Sequence, residues 1–178
     1  MHTYAGAVSI TIQAPVETVY AYLADFTRHP EWVKNVKEVV QITPGAAGVG
    51  AAFKASEGPP PVAWGQKVNM MVHFVRGVLG GAKPYSEATI TALDPPRRIA
   101  WRAGVPKGDA FFNLAEWEFL LEPRGAATVL TQRFTWKPQN PTAERMVRAA
   151  GVEGLQGAVA ASLMELKRRL EGGEEVRG

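Results

Sequence analysis

The stretch Ala14–Val36, APVETVYAYLADFTRHPEWVKNV, decides the fold, because it starts as a helix, breaks, and recovers for only a few residues around a tryptophan. Pro15 suits the first turn of a helix, where its missing N–H would have been unpaired anyway. Glu17 falls in the same turn, against the positive end of the helix dipole. Val16, Val19, Tyr20, Leu23 and Phe26 share one helical face, which must be buried. A residue before proline is pushed out of the α region, so His29-Pro30 should end this helix. Pro30, Glu31 and Trp32 then start a second helix of one or two turns.

Upstream, Val8, Ile10 and Ile12 alternate with Ser9, Thr11 and Gln13, the period of a strand with one buried face. Downstream, the pattern predicts strands over Val36 to Thr43, Val49 to Ser56, Glu87 to Leu93, Arg98 to Val105, Phe112 to Glu122 and Thr128 to Trp136. Asp94-Pro95-Pro96 and Pro123-Arg124-Gly125 are tight turns between the later strands and argue for antiparallel hairpins. Asn140 can cap a helix that begins at Pro141, and Leu155, Val159, Leu163, Leu166 and Leu170 keep one face of it apolar. Gly151, Gly154 and Gly157 interrupt this helix at about 1 kcal/mol each relative to alanine. Residues 57–83 resist the scheme: Val68, Met71, Val72 and Val75 fit a helix, although a strand also accommodates them.

Composition narrows the function classes. The chain has 178 residues, 46% of them hydrophobic, enough for one domain with a sizeable core. Without cysteine it has no disulfides, thiolate metal ligands or thiol nucleophile. The N-terminus lacks the layout of a secretory signal, and no apolar run is long enough to span a bilayer, which predicts a soluble, cytoplasmic protein with no stable membrane insertion. The net charge of +3 comes from basic residues spread along the chain, so no stripe marks a nucleic-acid partner.

One strand, two short helices, six strands and a long closing helix is the order of the helix-grip fold. On APVETVYAYLADFTRHPEW (Ala14 to Trp32), LDPPRRIAW (Leu93 to Trp101) and AEWEFLLEPRGAATVLTQRF (Ala115 to Phe134), the chain resembles the SRPBCC superfamily of START-like domains, and within it the bacterial polyketide cyclase/dehydrase-type branch. The resemblance implies an α+β fold: a seven-stranded antiparallel curved sheet wrapped around a long C-terminal helix, with the two short helices after the first strand plugging one end of the groove. A single domain then covers residues 1–171, with 57–83 as an insert that could serve as a lid and 172–178 as a flexible tail. The resemblance also implies a cavity between sheet and helix for a hydrophobic or amphipathic small molecule.

Alternation suggests which side chains face that cavity. Ile99, Trp101 and Ala103 form one set, Asn113, Ala115, Trp117, Phe119 and Leu121 the next, and Leu130, Gln132, Phe134 and Trp136 the third. Packing alone accounts for most such residues. A few polar groups among aromatics are also what orients a ligand. Trp101, Asn113, Trp117, Phe119, Gln132 and Phe134 are therefore the candidate ligand-binding residues on the sheet, with Gly154 and Leu155 opposite them on the helix. Gln132 is the most informative, because an amide buried unpaired costs about 1–3 kcal/mol. The glycines of the helix leave room either for a ligand or for close packing on the sheet.

His73 in the insert is the one candidate for acid–base catalysis. His29 reads as a turn or cap residue, Trp32 as a closure of the core, and the scattered histidines make no metal site. No cofactor is expected. The primary expectation is thus binding or carriage of a hydrophobic small molecule. The alternatives are a polyketide cyclase, aromatase or dehydratase, and a co-chaperone-like interaction module whose apolar insert docks a protein or forms a homodimer.

Overall fold

A computed structural model of the chain describes residues 2–57, 85–104, 113–138 and 140–172. Strand β1 (Tyr4–Ile12) leads into helix α1 (Val16–Ala24), a 3-10 turn (Phe26–Arg28) and the one-turn helix α2 (His29–Trp32). Strands β2 (Val36–Gln41), β3 (Ala52–Glu57), β4 (Tyr85–Asp94), β5 (Arg98–Gly104), β6 (Asn113–Arg124) and β7 (Ala127–Pro138) follow, and α3 (Pro141–Glu171) closes the chain. The strands form one antiparallel sheet in the order β1-β7-β6-β5-β4-β3-β2. This is the α+β helix-grip architecture.

The break after α1 lies earlier than the proline rule places it. Asp25 is extended (φ −82°, ψ 90°), and its carboxylate accepts from Thr27 N at 3.1 Å and Thr27 Oγ1 at 2.5 Å, so an aspartate turn stops α1. His29, by contrast, keeps α-helical angles (φ −52°, ψ −39°) directly before Pro30 and is itself the first residue of α2. The steric bias against such a residue is a preference, and the burial of Phe26 and Trp32 on either side outweighs it. Pro15 stands just before α1 as its cap (φ −58°, ψ 147°) and not inside it.

The core fills the space between the inner face of the sheet, α1 and α2, and the second half of α3. Phe26, Phe53, Phe119, Ile90 and Leu121 come from the plug and the sheet, and Val159, Leu163 and Leu166 from α3. Leu163 and Leu166 are fully buried, worth about 2–3 kcal/mol each. They pin that half of the helix.

α3 packs chiefly over β1, β7 and α2, leaving the inner face of β4 to β6 away from its main contacts. Its polar side chains also reach the open edge of β1. Gln156 Nε2 donates to the carbonyl of Ala7 at 3.3 Å, Lys167 Nζ to that of Thr11 at 2.6 Å, and Gln13 N donates to Glu171 Oε1 at 2.6 Å. Backbone groups of an edge strand are thereby taken by the chain's own helix. At Gly151 the helix is broken (φ 68°, ψ 160°), a conformation that an L side chain rarely adopts.

Candidate ligand-binding site

Antiparallel register lines up residues from successive strands, and on the inner face it makes two adjacent rows with opposite character. Gly6, Phe134, Trp117, Trp101 and Ile90 are cross-strand partners in sequence from β1 to β4. Trp101 and Trp117 lie nearly parallel, 9° apart with centroids at 6.1 Å, and Phe134 follows at 5.7 Å from Trp117. In the neighbouring row, Trp136 pairs with Ala115, Ala115 with Ala103, Ala103 with Ala88, and Ala88 with Phe53. Three consecutive methyl groups thus lie between a tryptophan and a phenylalanine, beside a wall of indoles. The result is a floor of small side chains, Ala88, Ala103 and Ala115.

The plug closes the other side. Phe26 stacks on Phe53 at 5.1 Å and meets Trp101 edge-on at 5.4 Å, and Trp32 approaches Phe119 at 6.0 Å. Between them stands His29, with ring centroids 4.7 Å from Phe26, 5.2 Å from Trp32 and 5.9 Å from Trp101. The residue keeps some solvent contact, but its Nε2 is enclosed. Burial pushes the imidazole down to about 4, with the Asp25 carboxylate opposing that shift. It is a neutral imidazole at physiological pH.

Four buried polar atoms have no hydrogen-bond partner among the described residues: His29 Nε2, Trp32 Nε1, Gln132 Oε1 and Trp136 Nε1. Each such atom left unsatisfied costs about 1–3 kcal/mol. Gln132 is 6% exposed and Trp32 2%, so bulk water reaches neither freely. The rings of His29 and Trp32 contact the inner aromatic face at Trp101 and Phe119, and Gln132 and Trp136 are cross-strand partners of Phe119 and Ala115.

The structure brings five of the sequence candidates together on this face. Trp101, Phe119, Gln132 and Phe134 are buried, and Trp117 is half-buried against them. Phe119, 0% exposed and 4.8 Å from Trp101, is a packing element under the site. Asn113 opens β6 opposite Pro138, and its side chain lies outside the described atoms. Leu155 packs against the core from α3, whereas Gly154 is exposed, with nothing within 4 Å of a Cβ built on it among the described residues. His73 and the insert lie outside the described residues.

Alternation turns Ala103 and Ala115 inward but does not single out His29 or the alanine row. The spacing Phe26, His29, Trp32 in steps of three was a usable signal, since it stacks the three rings on one side of a nearly continuous helical turn. The alanines carry no signal until the register is known. The outward side chains Arg98, Arg102, Glu116, Glu118, Arg133 and Thr135 line a groove of about 330 Å³, which Trp101, Trp117 and Phe134 also border. Its charges answer one another, with Arg98–Glu118 at 2.6 Å, Lys137–Glu116 at 2.9 Å and Arg102–Glu116 at 3.4 Å. That groove is a solvated ion-pair lattice.

A family model described as polyketide cyclase / dehydrase and lipid transport matches residues 5–171. The chain belongs to this family. The START-like resemblance of the sequence therefore holds over almost the whole length. Among solved structures, this polyketide cyclase/dehydrase family member is similar to the Zhui aromatase/cyclase of a Streptomyces species, with TM-score 0.63, 16% identity, and 97% and 99% of the two chains covered. It is also similar to a START superfamily protein of Mycobacterium smegmatis (0.58, 14%, 95% and 95%). A major latex-like protein of Panax ginseng aligns as well (0.62, 9%, 93% and 95%). At these identities the likeness carries the fold. None of the curated proteins matches the sequence. Among the described residues, no helix is long and apolar enough to cross a membrane, and no group of three histidines or carboxylates could hold a metal ion.

Proposed function

We propose that this chain binds and carries a hydrophobic or amphipathic small molecule on the inner face of its sheet, against α3. The observation that carries the reading is the register itself, which sets Trp101, Trp117 and Phe134 beside the floor of Ala88, Ala103 and Ala115. Apolar walls with a few unsatisfied polar atoms are the usual composition of a small-molecule site. The family's description, which includes lipid transport, and its START-like structural relatives support the same reading.

A second reading, a cyclase or dehydratase acting on a polyketide-like substrate, is favoured by His29. An enclosed neutral imidazole can act as a base that takes a proton from a bound, folded chain and then returns it. The similar fold of an aromatase/cyclase is compatible with it.

The test is native mass spectrometry of the purified protein against its denatured mass, followed by extraction of any retained compound. Ala103→Leu and Ala115→Leu replace small side chains of the floor with large ones. A retained apolar compound that these variants lose, while circular dichroism stays that of the parent, is the expected result. A protein that retains nothing and binds no uncharged hydrophobic probe overturns carriage. Conversion of an extracted or polyketide-like compound, lost in His29→Phe, establishes the second reading.

A further inference from the structure

We infer that the end of the site closed by His29 and Trp32, together with Gln132, recognises an uncharged oxygen function, a hydroxyl or a carbonyl, on an otherwise apolar ligand. The inference rests on the binding proposed above and adds the chemistry of the ligand's polar end.

Trp32 and Gln132 are both neighbours of Phe119. Trp32 is 6.0 Å from Phe119, and Phe119 is the cross-strand partner of Gln132. His29 adjoins Trp32 at 5.2 Å. Packing alone would be served by phenylalanine or leucine at these positions, yet each of the three buries a polar atom without a partner among the described residues. The atoms are complementary in kind: the Trp32 indole only donates, Gln132 Oε1 only accepts, and a neutral imidazole does one at each nitrogen. A hydroxyl can accept from one of them and donate to another, and a carbonyl can accept from Trp32.

The surroundings select against a charged head. The Arg28 guanidinium is turned to Glu31, at 2.9 and 3.2 Å, and lies over the Tyr22 ring. Arg169 is drawn to Glu165 at 3.1 Å and to Glu31 at 3.9 Å. Asp25 is the charge that His29 senses, and it would repel an anion. With the imidazole neutral as well, a carboxylate or phosphate entering among Phe26, Trp32 and Trp101 would give up its hydration without gaining a cation. A site built to hydrogen-bond a hydroxyl discriminates strongly for it.

The experiment measures displacement of the uncharged fluorophore N-phenyl-1-naphthylamine from the full chain, at about pH 7.5, by tetradecan-1-ol and by tetradecanoate. Wild type, His29→Phe, His29→Gln and Trp32→Phe are compared; the phenylalanine variants keep a ring and remove the polar atoms. We expect the alcohol to displace the probe at about tenfold lower concentration than the acid in wild type. That advantage, taken as the ratio of the two displacing concentrations within each variant, should fall about fivefold or more in His29→Phe and Trp32→Phe and survive in His29→Gln. Equal displacement by acid and alcohol overturns the inference, as does an alcohol advantage that both phenylalanine variants retain. Should wild type not bind the fluorophore at all, the carrier reading fails, and the subsite falls with it. If Trp32→Phe does not fold, the contrast between His29→Phe and His29→Gln decides alone.

Discussion

Gly6 of β1 lies directly against the ring of Phe134 in β7, its cross-strand partner, so closely that a Cβ on Gly6 would stand 2.6 Å from Phe134 Cζ and 3.3 Å from Gln156 Cγ. The ring is 2% exposed and is backed by Trp117 at 5.7 Å. It has little room to yield. Gly6→Ala is therefore expected to destabilise the protein by about 1–3 kcal/mol, the usual cost of overpacking. It should also displace Phe134 from the aromatic wall. Urea denaturation gives the first quantity, and weaker probe binding gives the second.

His29 makes stability depend on pH in a defined direction. Its pKa is about 4 when folded, against an ordinary value of 6.5, so the native state binds fewer protons than the unfolded chain between those values. Its contribution is complete above about pH 6.5 and is lost as the pH falls toward 4, by roughly 2–3 kcal/mol at about pH 4.5. His29→Phe should flatten this slope, even if its stability at neutral pH differs from wild type. Urea midpoints at several pH values check it. A wild-type midpoint that does not move between about pH 7 and 4.5 would contradict the enclosed neutral imidazole.

Glu31 joins three elements at the plug. It accepts from Tyr22 Oη at 2.6 Å and from Arg28 at 2.9 Å, and Arg169 of α3 approaches at 3.9 Å. The Arg28 and Tyr22 hydrogen bonds hold its carboxyl below the usual range, while burial with the Glu31 hydrogen bond pushes Tyr22 up to about 12. Because Glu31 is 35% exposed, solvent screens much of this, and Glu31→Ala should cost only about 1 kcal/mol. A spectrophotometric titration should show a late step from Tyr22 at about 12 in wild type, with Tyr20, which burial and the Asp94 carboxylate also push up, delayed as well. In Glu31→Ala that late step should move to lower pH.

The glycines of α3 should respond to alanine with opposite signs. Gly151 sits at φ 68°, so Gly151→Ala strains the backbone, at about 1–3 kcal/mol if the break is kept. Gly154 and Gly157 lie in the helix with nothing among the described residues within 4 Å of a built Cβ, and alanine at either should stabilise by roughly 0.5–1 kcal/mol. Thermal unfolding of the three single variants tests both signs at once. Probe binding by Gly154→Ala then tells whether the missing side chain leaves room for a ligand.

Much of this molecule was legible from periodicity because alternation and helical spacing report burial directly. The inward sets on β5, β6 and β7 follow from period two alone, and the burial of Leu130, Gln132 and Phe134 matches it. What periodicity does not carry is which inward residue stands beside which. Ala88, Ala103 and Ala115 are separate in sequence and become one floor only through register. His29 was assigned to a turn because a local steric rule was applied to it, whereas the packing of Phe26 and Trp32 sets its backbone. The sequence identified the three glycines of α3 as a group, but only the backbone angles separate the one that breaks the helix from the two that do not.

The attachment of α3 to β1 also limits how this protein can misassemble. A sheet can lengthen through neighbours without end only if both of its margins accept a strand. Here Gln156 and Lys167 occupy carbonyls of β1 and Glu171 the amide of Gln13 just beyond it, which, among the described residues, leaves β2 as the margin where strand addition is easier. Two copies meeting there would consume each other's free margin. Growth by edge pairing would stop at that pair, so a fibre would first have to peel α3 from the sheet.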